Sequence, residues 1–331
     1  MQLPRFLVWR ISVFNVNYII IERLPLNTTL KTNKKSAKLI LSGLALAALC
    51  ACTGDPELPD LSTIEWIGRY GYETQELFPV VTSPKVPGPR IKVTVGSESR
   101  YLLIDPNSSD LLIRENAFRN ANFEPQRMSN QLTETNELMV EEGYLHEVAF
   151  LNFEFPIVYA AMIKQSSRPF PVSGIIGRDL LGDGRLTIDM RHKILAYSPQ
   201  PAVAPANPAA DSQLVAFTLK RGLSTQNGLL KFQCRINGNR YLATLSTRHA
   251  KTRISPEIAQ AISSKTHGNS VTLNSLKIGS RKFRELKCEI NNDIMTLEPE
   301  NAEAISVIIG MDVITQSLLT IDFSNQHILL E

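Results

Sequence analysis

Two turns hold the residues whose types could do chemistry. The strand-like run Arg100-Tyr-Leu-Leu-Ile104 ends on Asp105, and its echo Arg240-Tyr-Leu-Ala-Thr-Leu245 ends on Ser246. A placed carboxylate can work as a general acid or base, whereas a hydroxyl only accepts and donates a hydrogen bond. Asp105 also reads as a plain turn former in a β protein, which needs no catalysis. Competing chemistries leave weaker traces. The five histidines, at 146, 192, 249, 267 and 327, follow no metal-ligand spacing and are expected at the surface. The sequence has no Gly-x-Ser-x-Gly elbow, phosphate loop or dinucleotide fingerprint. No metal and no cofactor is implied. Asp179 and Asp312 stand at the starts of short helices, where capping is their expected role. Asp189 and Asp322 close strands before a turn and read as structural.

The elements that must position the two turns come as a duplicated set. Ser173-Gly-Ile-Ile-Gly-Arg-Asp-Leu-Leu181 is echoed by Val307-Ile-Ile-Gly-Met-Asp-Val-Ile314. Leu186-Thr-Ile-Asp189 is echoed by Leu319-Thr-Ile-Asp322. Gly177 to Gly310 and Asp189 to Asp322 are both 133 residues, so one register covers both matches. A repeat of about 115 residues exceeds any solenoid period and means duplicated lobes. Ser198 to Asp211 packs four prolines and five alanines into 14 residues, an extended spacer between them. Within each lobe the pattern is mostly strand. Ile91–Val95 and Leu230–Ile236 alternate apolar and polar residues, Asn237-Gly238 marks a hairpin, and Ser255-Pro256-Glu257 opens a helix.

The strand-turn-strand followed by Gly-Ile-Ile-Gly-Arg-Asp resembles the retropepsin-like aspartic proteases, over residues 85–199 and 213–331. The resemblance implies a mostly β protein of two homologous barrel-like lobes, with one or two short helices each, related by a pseudo-two-fold axis. In that family each lobe gives one Asp-Thr-Gly carboxylate. One ionised member activates water while its protonated mate polarises the scissile carbonyl. The match is uneven. Asp105 falls on the catalytic position, but Pro106 stands at the Thr and Asn107 at the Gly, which removes the Thr-mediated tie between the loops. In the second lobe Ser246 replaces the Asp, Thr247 matches, and Arg248 replaces the Gly. Ser246 cannot share a proton as a second carboxylate does. Loss of one positioned acid costs about 10²–10⁴ in rate.

The N-terminus reads as an address. Four lysines between Lys31 and Lys38 precede a 13-residue apolar run, Leu39 to Ala51, too short to span a bilayer and suited to a signal peptide. Its end, Leu49-Cys50-Ala51-Cys52, resembles the lipobox of bacterial lipoproteins, with Cys52 as the acylated residue. An ordinary signal peptide or a single anchor helix is the alternative. Thr53 in place of Asp implies outer-membrane sorting, and residues 1–30 read as a mis-set start or dispensable extension. The organisation is then an N-terminal extension and signal over 1–51, a tether over 52–84 whose Trp66 and Ile67 are candidates to dock onto the body, lobe one over 85–199, a linker over 200–212 and lobe two over 213–331.

Net charge excludes one partner class. The whole chain is +3, but residues 1–51 hold seven basic and one acidic side chain, which leaves 28 basic and 31 acidic beyond them. A mildly acidic body does not neutralise phosphates, so nucleic acid is not expected. Cys234 and Cys288 are open to either a disulfide or two buried thiols. The reading that follows is an envelope lipoprotein, lipid-anchored and facing the periplasm, that binds a peptide or envelope protein between its lobes with impaired catalysis. The alternative is an active endopeptidase using Asp105, in one chain or a homodimer, and a third reading is a purely structural envelope lipoprotein whose cleft is closed; oligomerisation is otherwise not indicated. The stretch Leu132 to Tyr144 is a candidate cover over the cleft.

Overall fold

The computed structural model describes residues 9–13, 19–23, 55–132, 137–167, 169–199, 214–218, 229–262, 268–292 and 304–331. The candidate lipobox at Cys52, the linker 200–212 and His267 lie outside them. Contacts divide the chain into two units, Met1–Asp55 and Pro56–Glu331. In the first, β1 (Trp9–Val13) pairs antiparallel with β2 (Ile19–Arg23).

The second unit is a duplicated β protein. Its first half holds β3 (Leu77–Pro79), β4 (Val81–Ser83), β5 (Val86–Val95), β6 (Glu98–Ile104), β7 (Leu111–Arg114), β8 (Phe123–Leu132), β9 (Glu137–Phe150), β10 (Phe153–Ser166), β11 (Gly174–Ile176), β12 (Arg185–Asp189) and β13 (Ile194–Ser198). Its second half holds β14 (Val215–Thr218), β15 (Lys231–Ile236), β16 (Asn239–Leu245), β17 (Arg253–Ile254), β18 (Ser270–Leu273), β19 (Leu276–Ile278), β20 (Arg281–Phe283), β21 (Leu286–Ile290), β22 (Val307–Ile309), β23 (Leu318–Asp322) and β24 (His327–Leu330). The described residues also form the short α-helices α1 (Glu65–Tyr70), α2 (Arg178–Leu181), α3 (Pro256–Ile262) and α4 (Met311–Ile314).

The repeat seen in the sequence is a repeat of register. β11 runs parallel to β6 with Ile175 opposite Leu103 and Ile176 opposite Ile104. β22 runs parallel to β16 with Ile308 opposite Thr244 and Ile309 opposite Leu245. Each of these strands then pairs antiparallel with the strand after the turn, β7 or β17. The halves meet at β12 and β23, where Thr187 lies opposite Thr320, its own repeat mate, and the two hydroxyls are 2.9 Å apart. The pseudo-two-fold axis passes between these threonines. β13 and β3 extend the sheet on one side as β24 and β14 do on the other. One continuous apolar core runs through both lobes, from Ile91, Leu102 and Ile104 to Leu245, Ile309 and Ile321.

The local signals hold. Asn237-Gly238 forms the two-residue β15–β16 turn with φ of 50° and 95°, and Ser255 Oγ accepts from Ile258 N at the start of α3. Several expectations need correction. From Pro56 the stretch 52–84 is no free tether, because β3 is a strand of the sheet between the lobes and Trp66, Tyr70 and Tyr72 are buried against Ile194 and Leu329. Trp66 Nε1 donates to Asp189 Oδ2 at 2.7 Å and Arg69 pairs with Glu331 at 2.6 Å, which ties that segment to both repeats. Docking of Trp66 and Ile67 was expected, but the pairing of β3 was not, because a three-residue strand carries no usable periodicity. Cys234 and Cys288 are buried free thiols on β15 and β21, strands that are not hydrogen-bonded neighbours, so the bridge is not formed. Burial pushes the Cys234 thiol up to about 12 and that of Cys288 up as well. The helices α2 and α4 have Gly177 and Gly310 at their caps with no side-chain bond. Asp312 instead accepts from Thr252 N at 2.9 Å and Thr252 Oγ1 at 2.7 Å.

Candidate functional site

Asp105 and Ser246 directly follow β6 and β16, and the neighbouring parallel strand fixes each. Asp105 N donates to Ile176 O at 3.1 Å and Ser246 N donates to Ile309 O at 2.9 Å. The turn that follows is clamped in the same way in both lobes. Arg178 N and Asp179 N donate to Ser108 O and Ser109 O, as Met311 N and Asp312 N donate to His249 O and Ala250 O. This contact needs glycine. A Cβ on Gly177 would stand 2.4 Å from Ser109 O, and one on Gly310 would stand 2.5 Å from Lys251 O. The duplicated glycines therefore exist to bring each helix-start backbone against the chemistry-bearing turn.

The two turns touch. Thr247 Oγ1 donates to Ile104 O at 2.6 Å, so the second lobe keeps its half of the tie between the loops. Pro106, at the matching place in lobe one, has no hydroxyl to return the bond. Asn107 supplies another. Its Oδ1 accepts from Thr244 Oγ1 at 2.8 Å and from Leu230 N at 3.1 Å, while its own carbonyl accepts from Arg178 Nη1 at 2.9 Å. The Thr tie is thus lost on the lobe-one side as expected, and the Asn107 carboxamide adds a different link to the second lobe.

The dominant contact is electrostatic. Arg248 Nε donates to Asp105 Oδ2 at 2.7 Å. Asp105 and Ser246 are both fully buried, and the Arg248 side chain is 15% exposed. A charged hydrogen bond of this length in a poorly hydrated turn holds Asp105 as an ion pair. Sequence reading placed Arg248 at the family's glycine but not against the carboxylate. The contact follows from how the two opposed turns face each other, which brings residue 248 of one within reach of residue 105 of the other.

His249 overturns the surface expectation for the histidines. It is 5% exposed, and its imidazole is held down to about 3, first by burial and then by Arg253 and Arg248, with Asp105 opposing them. Asp110, five residues after Asp105, goes the other way, to about 6, first through burial and then through Asp179. Gln131 Nε2 at the end of β8 lies 3.5 Å from Asp110 Oδ2, which brings the β8–β9 hairpin to this turn. The tip of the candidate cover, 133–136, lies outside the described residues.

These two groups give opposite pH signs. His249 is depressed below its ordinary 6.5, so the unfolded chain binds more protons between pH 6.5 and about 3. Its contribution is present above 6.5 and is lost as pH falls through that window. Asp110 is raised above its ordinary 3.8, so its fully favourable contribution lies below 3.8 and is lost as pH rises through about 6. Asp110→Asn therefore stabilises at pH 7, by up to about 3 kcal/mol on the size of that shift, and the gain vanishes near pH 4. Urea unfolding of this variant at the two pH values checks it; an equal effect at both would contradict the assignment.

By structure the chain is similar to the aspartic proteinase from Irpex lacteus, with a TM-score of 0.50 and 12% sequence identity. The similarity covers 77% of this chain and 96% of that one. With the duplicated register and the pseudo-two-fold sheet, it establishes the aspartic-proteinase fold. No protein-family model and no curated protein matches the chain.

Proposed function

We propose that the chain is a catalytically impaired peptide-binding module on an aspartic-proteinase fold, held in the cell envelope by a lipid on Cys52. The observation that carries the first half is the 2.7 Å ion pair between Arg248 and Asp105. A working pair needs two carboxylates that share one proton, one to activate water and one to polarise the carbonyl. Ser246 supplies no such proton, and Arg248 occupies Asp105 Oδ2 with a charged hydrogen bond. Asp105 and Ser246 are thus the degenerate remains of the two catalytic positions, with Pro106, Asn107, Thr247 and Arg248 forming the floor of the peptide site. An extended peptide would be gripped by strand addition and released uncut. The partner is a peptide or a segment of an envelope protein, and the membrane is met through the lipid alone.

Two measurements test the reading. Extended peptides titrated onto the full chain are expected to bind and to be recovered intact by mass spectrometry. A tagged fatty acid fed to cells is expected to label the protein, with Cys52→Ala abolishing the label and freeing the chain into the soluble fraction. Absence of peptide binding sinks the first half, and label that survives Cys52→Ala sinks the second.

A further inference from the structure

The second lobe carries a concavity of about 530 Å³ lined by Lys251, Arg253, Ser270, Lys287, Glu289 and Asn291. Three neighbouring strands build it. β17 and β21 run parallel with Arg253 opposite Glu289, and β18 sets Ser270 opposite the same Glu289. Alternation along β21 turns Leu286 and Cys288 into the core and leaves Lys287 and Glu289 on the open face. Three cations thus stand against one carboxylate. Arg253 Nε lies 3.3 Å from Glu289 Oε2 and is matched. Lys251 and Lys287 are exposed and have no ion-pair partner among the described residues.

The first lobe shows that the fold does not require this charge. The register that sets Asp105 against Ser246 sets Asp110 against Lys251, both 141 residues apart. The place is acidic in one lobe, with Asp179 beside it, and basic in the other. A second feature bears on the ligand. β18 ends its sheet in the strand order, so no described strand pairs with its outer edge.

We propose that this face binds an extended acidic peptide segment, its backbone along β18 and its carboxylates on Lys251 and Lys287. The volume falls in the range of ligand pockets, about 300–1,000 Å³. A free phosphate is favoured where backbone N–H groups converge in a nest or at a helix start. Here the donors are ammonium groups spread over a sheet face, which suits carboxylates spaced along a strand. The proposal stands apart from the Asp105 site and survives or fails without it.

The test is fluorescence anisotropy of the full chain with a labelled Glu/Asp-rich peptide of about ten residues and a Gln/Asn-rich control. The acidic peptide is expected to bind at least about tenfold tighter than the control. Lys251→Glu with Lys287→Glu is expected to lower its affinity at least about tenfold with an unchanged melting temperature, and the two Lys→Gln changes to give a smaller loss. Binding also weakens from 0.01 to 0.15 M salt, as the screening length shrinks from about 30 to about 8 Å. Equal binding of the two peptides, or unchanged affinity in the charge-reversed variant, overturns the proposal. So does binding of inorganic phosphate where the acidic peptide does not bind.

Discussion

Arg248→Ala is expected to destabilise the protein by about 3–5 kcal/mol, far more than its partly exposed side chain would suggest. The reason is what it leaves behind. Asp105 is fully buried, and removal of the guanidinium 2.7 Å from its Oδ2 takes the charged hydrogen bond away from a carboxylate that keeps Asn107 N at 3.3 Å from its Oδ1. Asp105→Asn alone should cost clearly less, because the Arg248 side chain, 15% exposed, can turn toward water. The double variant should recover most of the Arg248→Ala loss, since a neutral amide in place of the carboxylate is far cheaper to bury. Urea midpoints for the three variants give the coupling directly. Additive losses would mean that the pair contributes nothing as a pair.

Ser246→Asp combined with Arg248→Gly and Pro106→Thr is expected to create an acid-favoured peptidase where the unmodified chain has none. The changes return a second carboxylate, remove the guanidinium that holds Asp105 and restore the reciprocal hydroxyl opposite Thr247. Two opposed carboxylates cannot both ionise, so one retains a proton and the missing acid is restored. The gain over the unmodified chain should be at least about 10²-fold, and greatest on the acid side of neutrality. Asp105→Asn in the same background must abolish it. Ser246→Asp alone should gain little, because Arg248 would still occupy Asp105. A combined variant that folds, binds peptide and does not cut would show that more than the second acid and the free carboxylate has been lost.

The sequence made the frame legible because duplication is a long-range signal. Two glycines and two aspartates at one spacing predicted a two-fold relation that the Thr187–Thr320 contact realises. Asp105 and Ser246 were legible for the same reason, as matched ends of matched strands. What stayed hidden was contact between the lobes. That Asn107 would accept from Thr244, or that Arg248 would reach Asp105, depends on how the lobes face each other, which no local pattern records. His249 was misplaced for a related reason. Histidine carries no burial signal of its own, and its burial follows from the helix-start backbone that packs on its carbonyl. Docking of Trp66 was legible, but the β3 strand after it was hidden because three residues are shorter than the period needed to recognise a strand.

The most direct test of the impaired-site claim is a peptide-library incubation of the unmodified protein across pH 3–8, read by mass spectrometry, with Asp105→Asn as control. Peptides should be retained and returned whole at every pH, with the two proteins indistinguishable in product. Cleavage by the unmodified chain that disappears in Asp105→Asn would contradict the account. It would mean that Asp105 escapes Arg248 and works without a second carboxylate in its own chain.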